Sequence, residues 1–153
     1  NAFIAWLALR RRLPTKDRLR RWGLNVSGTC VLCNLEIETH HHLFFECSFS
    51  RLIWEPFAAE VWISPPADPH SITAWINQPR VNADAHATPV IKLYFQSAIY
   101  LLWKERNARV FTAVSSPSSV ILASLDRMMR DRLLSYPASS SFSSSLLLFI
   151  FLV

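Results

Sequence analysis

The chain has 153 residues, 51% hydrophobic and 18% charged, with a formal net charge of +5. That length suits one domain with a modest core, and that composition excludes a disordered polypeptide. Only two glycines and three cysteines occur; so few glycines argue against a hairpin-rich fold, and an odd number of cysteines against a secreted disulfide framework.

Charge is unevenly placed. Residues 1–25 carry seven basic side chains (Arg10, Arg11, Arg12, Lys16, Arg18, Arg20, Arg21) against the single acid Asp17. Residues 26–87 are acidic on balance, and residues 88–153 basic again. A basic end of this kind suits phosphate, and equally suits a solvated helical surface. No secretory signal is visible, because the apolar start runs into Arg10-Arg11-Arg12 without a cleavage site. The expected location is intracellular, nuclear or cytoplasmic, and not secreted. The chain opens on Asn1 in what reads as mid-helix, and is taken as a piece of a longer polypeptide.

In chain order, Phe3, Trp6, Leu7 and Leu13 fall on one face of a first helix. Pro14 breaks it, and Thr15 is the expected N-cap of a second helix reaching Trp22, with Leu19 and Trp22 on its apolar side and Gly23 at its end. The Cys/His segment runs from Asn25 to Cys47. Ser48 or Ser50 then caps a helix bearing Phe49, Leu52, Ile53, Phe57 and Val61, which Pro56 is expected to kink or restart. Residues 64–70 and 77–89 read as loops around a short helix at 71–76. Thr88-Pro89 starts a long helix with Ile91, Tyr94, Phe95, Ala98, Leu101 and Leu102 on its apolar side. Ser116-Pro117 starts another, with Ile121, Leu125, Met128, Met129 and Leu133 on one face. No internal repeat or convincing strand precedes the tail. The tail is Ser-rich (139–145), then apolar (146–153); it is too short to span a bilayer and is read as outside the domain.

The expected fold is therefore mainly α: a small helical domain organised around a zinc-knuckle-like CCHC loop, with long C-terminal helices. Residues 1–63 hold the basic helices, the loop and the following helix. Residues 64–111 are linker and long helix of the same module, 112–134 an additional helix, and 135–153 the tail.

The segment from Cys30 to Cys47 reads CVLCNLEIETHHHLFFEC. Zinc prefers a tetrahedron of thiolate and imidazole ligands. Cys30 and Cys33 form a Cys-x-x-Cys turn, and His42 and Cys47 have the spacing of a knuckle's second half, with His40 and His41 as rivals for the imidazole place. Five positions on a regular α-helix turn a side chain about 140° away, so His42 and Cys47 cannot share a metal within one straight helix. Four protein ligands leave no place for water, so the expected Zn²⁺ is single and structural rather than catalytic. A redox Cys-x-x-Cys lacks the βαβ setting it needs.

Cys30-x-x-Cys33 followed by Glu38-Thr39-x-x-His42-Leu43-Phe44-x-x-Cys47 resembles the zinc-binding domain of plant-type non-LTR (LINE-like) retrotransposon reverse transcriptases. Two flanks carry the same resemblance: Arg12-Leu13-Pro14-Thr15-Lys16-Asp17-Arg18-Leu19, and Trp103-Lys104-Glu105-Arg106-Asn107-Ala108-Arg109-Val110-Phe111. The resemblance implies an accessory, non-catalytic module C-terminal to a polymerase core, thought to contact RNA or DNA. The interruption at Pro56 and the Ser-rich tail depart from the family and suggest a degenerate or truncated copy.

Three functional readings compete. In the first, Arg10, Arg11, Arg12, Lys16, Arg18, Arg20 and Arg21 meet nucleic-acid phosphate, with Arg18, Arg20 and Arg21 as the best contacts and Trp22 either stacking on a base or filling the core. In the second, the module docks on the reverse transcriptase core or another protein through Trp54, Trp62, Trp75 and Trp103, unless these fill its own core. The third, an enzyme using the histidine run as general base, lacks a partner nucleophile or carboxylate. Neither membrane nor small-molecule substrate is expected as a partner.

Overall fold

The computed structural model describes residues 2–61, 71 and 87–135. The loops and short helix expected between 62 and 86, together with Trp62 and Trp75, lie outside these apart from Ser71, as does the tail from 136. The described chain is mainly helical, as its composition implies: α1 Ala2–Leu9, α2 Lys16–Arg21, a π-helical turn His42–Glu46, α3 Ser48–Val61, α4 Ala87–Phe111 and α5 Ser118–Leu134. No strand occurs among the described residues beyond one antiparallel bridge, Thr29 to Ile37, that closes the Cys-x-x-Cys loop. No described helix is long and apolar enough to cross a membrane.

The core centres on α4, against which α1, α3 and α5 pack. Its stripe of Ile91, Phe95, Ala98, Ile99, Leu101 and Leu102 is buried, matching the apolar periodicity. Ile121, Leu125 and Met129 of α5 are buried too, with Met128 and Leu133 only partly so. Trp54 and Trp103 are also core residues, 4% and 8% exposed, rather than free interface anchors. The Trp54 indole donates to the Phe44 carbonyl (2.6 Å), and the Tyr94 hydroxyl to the Ile53 carbonyl (2.7 Å).

Several local expectations are corrected. α1 faces the core with Ala5 and Ala8, while Phe3 and Trp6 are 66% and 44% exposed. Small side chains let α1 approach α4 closely, which large aromatics at those positions would prevent. Nor does Pro14 end this helix. Arg11 adopts a left-handed conformation (φ 52°), and the N–H groups of Arg11 and Arg12 close onto the carbonyls of Ala8 and Leu7. Leu13 is buried, but from the link beyond the helix. The same closure at the end of α2 uses Gly23 (φ 85°), with the Gly23 and Leu24 N–H groups on the Arg20 and Leu19 carbonyls. Trp22 is 57% exposed rather than on a buried side.

Pro56 lies inside a continuous α3, so the post-zinc helix is not interrupted. A proline deletes one backbone donor and crowds the preceding turn, a local cost that the packing of Ile53 and Trp54 on the core offsets. Neither Ser48 nor Ser50 caps that helix: it begins at Ser48, and the Ser50 hydroxyl donates to the Leu43 carbonyl (2.6 Å). At the start of α5, Pro117 is the extended residue before the helix rather than its first member.

Thr15 occupies the N-cap position of α2 but makes no side-chain cap. The cap comes instead from Glu38, whose Oε1 accepts the Lys16 N–H (2.9 Å) from 22 residues away in sequence. The same oxygen accepts Nη2 (2.8 Å) and Nε (3.1 Å) of Arg106 on α4, and Arg106 also donates to the Pro14 carbonyl (3.3 Å). Both partners of this ion pair are essentially inaccessible to water. Removing one partner of a buried pair strands the other charge, at a cost of about 3–5 kcal/mol. Arg106→Met is therefore expected to destabilise the fold by that amount in urea denaturation, and Glu38→Gln in the same background to recover part of it. A single variant within about 1 kcal/mol of wild type would show that the pair is dispensable.

Candidate metal centre

Four side chains that the sequence spaces over eighteen residues converge here. The ligand atoms of Cys30, Cys33, His42 and Cys47 all lie within 4.8 Å of one another. Cys30 and Cys47 are fully buried and His42 nearly so. Cys33 Sγ stands 3.3 Å from His42 Nε2, and Cys30 Sγ 3.9 Å from Cys47 Sγ. Three sulfurs and one imidazole nitrogen around one small volume form a donor set that suits tetrahedral Zn²⁺, and the four lie close enough to coordinate one ion.

The first pair is positioned by backbone closure. Asn34 N–H reaches the Cys30 carbonyl (2.8 Å), and Cys30 N–H the Glu36 carbonyl (2.7 Å). Asn34 takes the left-handed turn this requires (φ 57°), a conformation that asparagine tolerates better than most residues.

The second pair depends on an unusual element. His42–Glu46 is a single π-helical turn, and Cys47 at its end donates its N–H to the His42 carbonyl (2.8 Å). An i→i+5 turn is wider than an α-turn, so it returns the fifth residue onward to the side of the first. That is how two positions an α-helix would point apart come to face one volume. Thr39 Oγ1 fixes the start of this turn by accepting the His42 N–H (3.0 Å).

Electrostatics prepare the thiolates. Cys47 precedes α3, and its thiol is held down, first by the hydrogen bond from the Cys30 thiol and then by the N–H groups of Ser50 and Phe49. That same bond, with burial, pushes the Cys30 thiol up.

The neighbouring histidines are engaged elsewhere. His40 Nδ1 is 3.2 Å from Thr15 Oγ1. The one Thr15 hydroxyl proton is donated to Asp17 Oδ1, so His40 Nδ1–H is the donor to Thr15 and Nε2 carries the lone pair. Burial holds His40 neutral by lowering its pKa to about 4. His41 lies edge-on to Phe45, with Nε2 3.2 Å from Glu46 Oε1.

The seven basic residues sit in different settings. Arg10, Arg11, Arg12, Arg20 and Arg21 are exposed, and Lys16 and Arg18 half-buried. Lys16 Nζ donates to the Thr29 carbonyl (2.7 Å), tying α2 to the loop. Arg20 lies against Gly28, where a Cβ would meet its Nη1 at 2.6 Å. Arg10 and Arg12 flank the exposed Trp6 ring, at 5.8 and 5.9 Å from its centroid. The pairing of Arg106 with Glu38 was not legible in the sequence. The available signal was that Arg106 continues the register of Phe95, Ile99 and Leu102, a cation where the stripe calls for an apolar residue.

Stoichiometric zinc is expected by elemental analysis of the protein, with His42→Ala and Cys47→Ala losing it and His40→Ala and His41→Ala retaining it. Chelation is expected to abolish the helical signal of this region, because binding of structural zinc is folding free energy of about 10–16 kcal/mol. Acidification should release the metal, since thiolates and imidazole bind only when deprotonated. Protein free of zinc, or helicity indifferent to chelator, would remove the metal centre.

Residues 1–54 match the family model described as zinc-binding in reverse transcriptase. No curated protein and no solved structure matches the chain. The matched stretch runs from α1 through the π-turn into α3, and stops short of the Trp103–Phe111 motif on α4. Residues 1–54 are thus similar to the zinc-binding domain of reverse transcriptases, and the Cys₃His geometry within them suits the zinc that this description names.

Proposed function

We propose that this module serves a reverse transcriptase of the plant-type non-LTR kind as a non-catalytic accessory, with Cys30, Cys33, His42 and Cys47 as the zinc ligands and the N-terminal basic residues as a nucleic-acid contact. The carrying observation is the coincidence of the family match with a four-donor cluster that has no open coordination place. A closed site makes zinc a clip, so the function resides on the surface that the clip holds in shape.

That surface is basic. Arg10 and Arg12 beside α1, and Arg20 on α2, are exposed on a segment whose only acid is Asp17. Asp17 is paired with Arg21, so it does little to offset the other arginines. Phosphate contacts from such residues release counterions and make affinity fall steeply with salt.

A docking reading is favoured by a different observation. Leu24, Leu35 and Ile37 are 52%, 77% and 60% exposed on and beside the loop that the zinc would close. This apolar tip supports contact with the polymerase core of the parent polyprotein. Trp54 and Trp103 take no part in that interface, since both are buried in the core.

The nucleic-acid reading is tested with labelled single-stranded RNA at several salt concentrations. Arg10→Ala, Arg12→Ala and Arg20→Ala are each expected to weaken binding and to flatten the log–log salt slope by about 0.7 for every phosphate left without its arginine. Absence of binding at low salt, with zinc content and helicity intact, would leave the docking reading alone.

A further inference from the structure

Between the end of α1, α2 and the start of the π-turn lies a cleft of about 590 Å³. Arg11, Asp17, Arg18, Arg21, Trp22, Thr39, His40 and His41 line it. Three guanidinium groups thus face one carboxylate, and that carboxylate is engaged by Thr15 and Arg21. The cleft is therefore cationic.

Its aromatic wall is open. Trp22 is 57% exposed, with the Arg18 guanidinium 5.1 Å from the ring centroid. Arg18 also donates to the Arg11 carbonyl, and Arg21 bonds Asp17, so both cations are held in place before any ligand arrives. The buried wall is His40, 6% exposed, with its Nδ1 3.2 Å from Thr15 Oγ1.

Fixed cations and an exposed indole together suit a phosphate and an aromatic base. Those are the parts of one nucleotide. We infer that this cleft holds a single nucleotide unit of an unpaired strand, its phosphate among Arg11, Arg18 and Arg21 and its base against Trp22. A duplex keeps its bases stacked on one another and offers no face to the indole, so the site selects single strands. The inference rests on the nucleic-acid reading above and narrows it to one place and one strand state. Arg10, Arg12 and Arg20 lie outside the cleft and serve affinity without that selection.

The test is fluorescence anisotropy of a labelled oligouridine of about a dozen nucleotides, its DNA counterpart, the matching duplex and free UMP, at fixed low salt with the zinc-loaded protein. Single strands are expected to bind more tightly than duplex, and UMP far more weakly than the strand. Trp22→Leu is expected to lower single-strand affinity by about 5- to 100-fold, the range that loss of one stacked base supports, and to leave duplex affinity unchanged. Arg21→Ala should weaken single-strand binding as well. Zinc content and helicity establish that both variants fold. Unchanged single-strand binding by folded Trp22→Leu and Arg21→Ala would overturn the cleft while the basic surface stands. UMP binding as tight as the strand would make the ligand a free nucleotide and overturn strand selection. No binding of any strand by the wild type would remove both readings.

Discussion

The buried ion pair between Glu38 and Arg106 joins the two parts of this molecule. Glu38 belongs to the loop between the metal-binding pairs, and Arg106 to α4, 68 residues further on. One oxygen of Glu38 accepts from Arg106 and also from the first backbone donor of α2. The backbone of the same residue accepts from Asp17 N–H and donates to Gly28. Loop, basic helix and core helix therefore meet on one side chain. A second link runs parallel to it: Arg109, one turn on, donates to the carbonyls of Val31 and Leu32 inside the Cys-x-x-Cys turn and pairs with Glu105. Glu105 in turn accepts the Ser116 N–H that orients the chain into α5. All of the Glu38 side-chain bonds fall on Oε1, while Oε2 is buried without a hydrogen-bond partner among the described residues, so the carboxylate depends on Arg106 and the Lys16 N–H to offset its burial.

This arrangement explains why the zinc-binding segment carries a helix beyond the matched stretch. The loop has little apolar substance of its own, with Leu35 and Ile37 turned to solvent. Its inner side is held by arginines from α4 and by four donors that suit a metal. The two devices meet at the Cys-x-x-Cys turn, where Arg109 bonds the carbonyls between Cys30 and Cys33. A domain with so small a local core depends on such cross-links more than on area burial.

The surface and the interior are thus divided cleanly. Zinc-type ligands, the ion pair and the α4 stripe face inward. Arg10, Arg11, Arg12, Arg20 and Arg21, with the two exposed indoles Trp6 and Trp22, each with a guanidinium near its ring, face outward. Both indoles therefore contribute less to the core than Trp54 and Trp103 do.

Spacing alone determined much of this protein. Local rules carry such information, because ligand preference, apolar periodicity and Gly23 at a helix end act over a few residues. They brought forward the four donors, the mainly helical fold and the apolar faces of α4 and α5. They also posed the problem that His42 and Cys47 could not share a straight α-helix, without supplying its answer. Only the tertiary structure decided how that was solved, by a π-turn whose cost the surrounding packing and Thr39 offset. It also decided which histidine faces the cysteines, since His40 is claimed by Thr15 across 25 residues. It turned Ala5 and Ala8 inward where Phe3 and Trp6 had the stronger apolar signal, because the closeness of α1 to α4 outweighs side-chain hydrophobicity. And it paired Glu38 with Arg106, an interaction between distant positions that no local pattern encodes.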